Sequence, residues 1–154
     1  KAPYSAALFA LLVEDNILYW EDDGKTYAVY IDSVICETTK DGEIITAPLG
    51  GTILLGITRD SVITLLKEWG YQVSERSLSL DELFAASRAG KLQEVFATGT
   101  AAVISPIGTL CYQATDYVIN GNEVGPVAQK LYDTLYGTQT GAVADTHGWI
   151  ERVC

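Results

Sequence analysis

Between residues 55 and 70 the chain carries its most restrictive pattern. A glycine turn, Leu55-Gly56-Ile57-Thr58-Arg59-Asp60, runs into Val62, Leu65, Leu66 and Trp69 at helical spacing. Those four apolar residues share one face, and Gly70 stands where a helix-ending glycine belongs. A helix apolar on one face must be covered, so the pattern demands a partner layer. The rest of the chain supplies one in short β-type runs at 17–20, 26–31, 33–38 and 44–46. The turn signals Asp22-Asp23-Gly24 and Lys40-Asp41-Gly42-Glu43 lie among them.

Further along, residues 71–77 alternate as a strand. Ser79 with Glu82 forms a capping box that starts a second helix, carries Leu83 and Phe84 inward and ends near Gly90. Strands are expected at 94–97 and 101–105, followed by a hairpin pair at 108–113 and 116–119. A last helix starts at Gly125-Pro126, packs Val127, Leu131 and Leu135, and is expected to stop at Gly137. Residues 5–13, rich in Ala and Leu with Pro3 ahead of them, predict a short N-terminal helix. Short strands separated by a few amphipathic helices make an α/β domain of mixed α+β character, with mixed sheets and a few packed helices. Its 154 residues suit a single domain spanning 1–154.

Charge removes several function classes. Twenty Asp and Glu against ten Lys and Arg give a formal charge of −10, with no basic cluster for nucleic acid or an anionic membrane surface. No apolar run reaches the roughly 18–20 residues of a membrane span, so a protein with no membrane contact is expected. Cys36, Cys111 and Cys154 are widely spaced and make no CxxC pair. They indicate neither a zinc site nor a disulfide framework, and a reducing, cytoplasmic setting is the expectation. Glu21-Asp22-Asp23 reads as a solvated turn and His147 as a structural residue, so no metal is called for.

Two segments are built to receive an anion. In Gly56-Ile57-Thr58-Arg59 a glycine turn feeds a helix, whose unpaired N–H groups and positive dipole end attract negative charge. In Thr98-Gly99-Thr100-Ala101-Ala102 a glycine between hydroxyl residues lets backbone amides come close to a ligand. Read alone, Thr58 serves equally as a helix cap and Arg59 as a surface cation.

The order of segments is more specific than any one of them. Gly42-Glu43-Ile44-Ile45-Thr46-Ala47-Pro48-Leu49, Gly56-Ile57-Thr58-Arg59-Asp60-Ser61-Val62 and Phe96-Ala97-Thr98-Gly99-Thr100-Ala101-Ala102-Val103-Ile104-Ser105-Pro106 stand in sequence, followed by Gly125-Pro126 and His147-Gly148-Trp149. Together they resemble the C-terminal cofactor domain of branched-chain aminotransferases, fold-type IV enzymes that use pyridoxal phosphate. The resemblance implies that domain's large-domain fold, with residues 41–154 as its core. It also implies a phosphate cup from Gly56, Ile57, Thr58, Gly99 and Thr100, with Thr100, Ala101 and Ala102 receiving the substrate carboxylate.

The resemblance further implies an amine nucleophile upstream, for which Lys1 is the candidate. The family's Gly-Asn-Tyr segment after that lysine is absent, and Tyr30 falls where the family places a glutamate against the pyridine nitrogen; Asp32 lies close by. Residues 1–40 therefore read as a diverged or rebuilt helix and strands, as expected of a truncated or engineered domain. Three readings stay open. One is a stand-alone domain that keeps a partial pyridoxal phosphate cup without turnover. Another is an active aminotransferase for leucine, isoleucine or valine with 2-oxoglutarate, its amine supplied by Lys1 or by a partner chain. The third is a subunit kept for homodimer assembly.

Overall fold

Among the described residues Val103–Tyr112 is the longest strand and the one on which both halves of the sheet meet. The computed structural model describes residues 9–14, 17–22, 25–29, 34–37, 43–49, 56–99, 102–151 and 153, with side chains from residue 43 onward. In chain order the strands and helices are β1 (Phe9–Glu14), β2 (Ile17–Asp22), β3 (Lys25–Val29), β4 (Val34–Glu37), β5 (Glu43–Thr46), α1 (Ile57–Glu68), β6 (Gln72–Glu75), α2 (Leu80–Arg88), β7 (Glu94–Gly99), β8 (Val103–Tyr112), β9 (Thr115–Val118) and α3 (Pro126–Thr140). Among the described residues the nine strands form one sheet in the order β3-β2-β1-β8-β7-β4-β5-β6, with β9 also paired to β8. The mixed α/β class expected from the sequence is the class found.

Two pairings in this sheet are parallel. β5 lies beside β6 with Thr46 opposite Glu75, and α1 is the crossover between them. Parallel neighbours need such a connection, which puts the start of α1 near the end of β5. The other parallel pair is β1 with β8, and it corrects the helix expected over 5–13. Residues 9–13 belong to a strand held between β2 and β8; residues 5–8 lie outside the described residues. Phe9-Ala10-Leu11-Leu12-Val13 is a continuous apolar run, which suits a strand paired on both edges as well as a helix. Ala and Leu propensity is a weak prior, and pairing overrides it.

A second correction concerns Pro106. The expected break after residue 105 does not occur, and β8 runs straight through it. Residues 103–106 pair with β7, whereas Ile107 and residues 109–112 pair with β1. The proline, which has no N–H to give, stands where the strand changes partner.

Val95 and Phe96, consecutive on β7, serve two cores. Phe96 packs with Val62, Leu65 and Leu66 of α1, Val127, Leu131 and Leu135 of α3, and Ile44. Val95 packs with Leu83 and Phe84 of α2, Ile107, Leu110 and Ile119. Neighbouring strand residues point to opposite faces, so α1 and α3 cover one face of the sheet and α2 the other.

The predicted caps form in part. At Gly70, with φ +85°, the Tyr71 N–H reaches Leu66 O at 3.0 Å and the Gly70 N–H reaches Lys67 O at 3.1 Å, closing α1 in a Schellman turn. Ser79 Oγ accepts the Glu82 N–H at 3.1 Å, but the Glu82 carboxylate turns instead to Arg76, 2.7 Å away. Only half of the capping box is therefore made. α3 does not stop at Gly137; it continues to Thr140 and ends on Gly141, at φ +77°. Gly137 has a packing reason, because a Cβ there would lie 2.6 Å from Val143 Cγ2.

Gln113 and Ala114 join β8 to β9 with φ of +51° and +58°, the left-handed pair of a two-residue hairpin turn. Neither residue suits that conformation, so the double change Gln113→Asn with Ala114→Gly is expected to stabilise the protein by about 1 kcal/mol. A rise in the thermal unfolding midpoint checks it; an unchanged or lower midpoint rejects it.

Candidate functional site

The helix starts differ in how their N–H groups are used. α2 begins on the Ser79 hydroxyl. α3 begins on a carboxylate from another element: Glu94, only 5% exposed at the start of β7, accepts the Val127 N–H at 3.0 Å and the Ala128 N–H at 2.9 Å. Burial pushes the Glu94 carboxyl above the ordinary glutamate range, against the opposing pull of these two amides. The cleft lined by Glu94, Ile107, Asn120, Glu123 and Gly125 sits at this helix start, and the protein's own carboxylate holds its donors.

α1 begins on Gly56, in extended conformation with no side-chain cap. Its first helical bond runs from the Asp60 N–H to Gly56 O at 3.1 Å. The amides of Ile57, Thr58 and Arg59 thus precede the ladder, at the positive end of a 12-residue helix. Ile57 is 86% exposed and Gly56 is exposed, so this end opens outward. Thr58 is half-buried and adds a hydroxyl. Exposed Asp60 in the same turn offsets part of the positive potential. Amide and hydroxyl donors around a glycine fit a phosphate by their chemistry.

Arg59 is not the surface cation that remained open in the sequence. It is 6% exposed, and its Nη2 donates to Ala47 O at 2.7 Å and to Glu75 Oε2 at 3.0 Å. Its position three before Val62 and seven before Leu66 puts it on the apolar face of α1, a signal present in the spacing.

The second anion segment connects β7 to β8. Gly99 pairs with Val103, and Thr98 with Ile104. Gly99 and Ala102 are exposed, whereas Thr98 is buried. Val103 follows at φ +59°, which a β-branched residue adopts at a cost of about 1–3 kcal/mol. Both segments issue from one core, since Val62 and Leu66 of α1 cluster with Phe96 and Val103. Thr100, Ala101 and Lys1 lie outside the described residues, as do Tyr30 and Asp32.

His147 takes the structural role expected of it. Its Nε2 lies 2.9 Å from Glu68 Oε1, and its ring stacks on Trp149 at 4.1 Å. Asp145 accepts the His147 and Ile150 N–H groups at 3.1 and 2.8 Å; these bonds, Ile150's foremost, hold its carboxyl below the usual aspartate value. The C-terminal segment is thereby pinned to the end of α1. Among the described residues no group of His, Cys, Asp and Glu is arranged to hold a metal, and no helix is long and apolar enough to cross a membrane.

The role of Glu94 is invisible to sequence reasoning. Its partners are 33 and 34 positions away, and nothing near residue 94 in the sequence announces them.

Comparison with known proteins follows the same lines. The Amino-transferase class IV family model matches residues 22–110. "Branched-chain-amino-acid aminotransferase 2" of Bacillus subtilis (strain 168) is 50% identical, over 97% of this chain and 43% of its own length. That likeness extends into residues 1–40. A branched-chain amino acid aminotransferase from Escherichia coli superposes with a TM-score of 0.61 at 33% identity, covering 78% of this chain and 37% of that one. A second solved branched-chain amino acid aminotransferase, complexed with N-(5'-phosphopyridoxyl)-L-glutamate, also gives 0.61, at 28% identity over 92% of this chain and 41% of its own. The chain spans less than half the length of the relatives it matches.

Proposed function

The chain belongs to the amino-transferase class IV family, and on that premise we propose that it carries the phosphate-holding part of a pyridoxal-phosphate-dependent branched-chain aminotransferase. The observation that supports this most directly is the outward-facing start of α1, whose first amides have no side-chain partner among the described residues, in a fold where α2 and α3 have first-turn amides taken by Ser79 and Glu94. The relative solved with a phosphopyridoxyl group supports the same ligand chemistry.

In this reading the amides of Ile57 and Thr58 and the Thr58 hydroxyl hold the phosphate, and Gly56 keeps the approach free of a side chain. Gly99 and Thr100 complete the cup, and Thr100, Ala101 and Ala102 orient the carboxylate of a branched-chain amino acid or 2-oxo acid. Pyridoxal phosphate, when bound, supplies the electron sink of transamination. A reacting amine must come from elsewhere than residues 43–153. Lys67 lies in the last turn of α1, about 15 Å along the helix from its start. Lys91 follows α2, on the opposite face, and Lys130 sits over the Trp69 ring at 3.8 Å. In this reading the chain holds the cofactor, and turnover depends on an amine from outside residues 43–153, such as Lys1 or a lysine of a partner chain.

Thr58→Val is expected to weaken pyridoxal phosphate binding about tenfold, the loss of one charge-assisted bond, with the unfolding midpoint nearly unchanged. Spectroscopic titration measures it, and equal affinity of variant and parent rejects the cup. Borohydride treatment followed by peptide mass mapping separates binding from catalysis. Cofactor fixed to Lys1, together with deamination of leucine, would replace the binding reading with the active one.

A further inference from the structure

We propose that Arg59 is the positioning residue of the phosphate turn, an inference that rests on the reading of α1 as a phosphate holder. Arg59 is the third residue of α1, directly after Ile57 and Thr58, the two read above as phosphate donors. Helix stability does not account for it, because a cation in the first turn opposes the positive end of the macrodipole. Packing does not account for it either, since an apolar residue would fill the site without desolvating a guanidinium. Its Nε is also buried with no hydrogen-bond partner among the described residues, an added cost.

What the side chain does make is a tie between three elements. Ala47, whose carbonyl accepts from Nη2 at 2.7 Å, directly follows β5. Glu75, whose carboxylate accepts from the same nitrogen at 3.0 Å, closes β6. β5 and β6 are parallel neighbours with Thr46 opposite Glu75, so both acceptors belong to one rigid sheet edge. The first turn of α1 is thus anchored to the sheet on its buried side, leaving the Ile57 and Thr58 amides aimed outward before a ligand arrives. Holding donors in place beforehand is what lets a small anion site bind without a further ordering cost. The Glu75 carboxylate also neutralises Arg59, so the guanidinium orients the turn rather than serving as the anion's partner.

The test follows the backbone amide signals of Ile57 and Thr58 in the 15N-labelled 154-residue chain during titration with inorganic phosphate and then pyridoxal phosphate. Both signals are expected to shift saturably in the parent chain. Arg59→Ala is expected to weaken phosphate about tenfold and Glu75→Gln about threefold, each measured well below its unfolding midpoint. Arg59→Lys keeps the charge, but its ammonium sits on a shorter stem than the Nη2 that makes both contacts, so the tie is loosened and its affinity should fall between parent and Arg59→Ala. If the parent amides do not respond, the phosphate reading fails and this inference falls with it. If the parent binds and Arg59→Ala and Glu75→Gln bind equally well, the positioning role alone is overturned. Full affinity in Arg59→Lys overturns it too, since charge would then suffice. Should Arg59→Ala not fold, Glu75→Gln decides the matter.

Discussion

Replacing Gly125 by alanine is expected to cost about 3 kcal/mol of stability, a large share of the 5–15 kcal/mol typical of a folded domain. Gly125 precedes α3, and a Cβ there would overlap the Glu94 carboxyl. Flexible side chains usually move aside cheaply, but this one cannot. Glu94 is buried and holds the N–H groups of Val127 and Ala128, themselves 4% and 2% exposed. Displacing it strands two donors in the core and sends a carboxylate to find water. Glu94→Ala should cost a similar amount by removing the acceptor directly. Urea unfolding of both variants gives the measurement, and a Gly125→Ala midpoint equal to the parent's would show that the carboxyl has room to move.

The same carboxyl makes a pH signature. Burial raises its folded value above the ordinary glutamate range. A carboxyl so raised binds its proton more tightly in the folded than in the unfolded state. Its contribution to stability is full below the unfolded value and is lost as pH rises through the folded one. Stability of the parent should therefore decline as pH rises from the ordinary glutamate value through the raised one, and Glu94→Gln should flatten this part of the profile. A variant profile as steep as the parent's would assign the slope to another group.

Phe96→Ala should cost more still, about 4 kcal/mol. The ring is fully buried and lies where α1 and α3 meet β5, β7 and β8. Truncation removes its contacts and leaves a cavity that two helices and a sheet cannot close together. Val118→Ala, on a side chain 58% exposed in β9, should stay within about 0.5 kcal/mol. Comparable losses in the two variants would contradict the placement of the core.

How much of this is legible in the sequence depends on the range of the interaction concerned. The apolar faces of α1 and α3, the glycine that ends α1 and the Ser79 cap all depend on residues within four or five positions, and all appear as expected. So does the helix start at Gly56, because a glycine followed by an apolar stripe at helical spacing is a local signal. Residues 9–13 mislead because an apolar run is the same string of residues in a buried helix and in a strand held on both edges. The break expected at Pro106 fails because a proline is harmless where a strand changes partners, and partners are a property of the sheet.

The sequence by itself determined the mixed α/β class, the helix faces and the glycine start of α1, since each arises from spacing along one short segment. Only the tertiary structure decided that Arg59 turns inward to Ala47 and Glu75 and that Glu94 closes the start of α3. Those outcomes depend on which distant groups desolvate one another, a cost that exists only once the chain has folded.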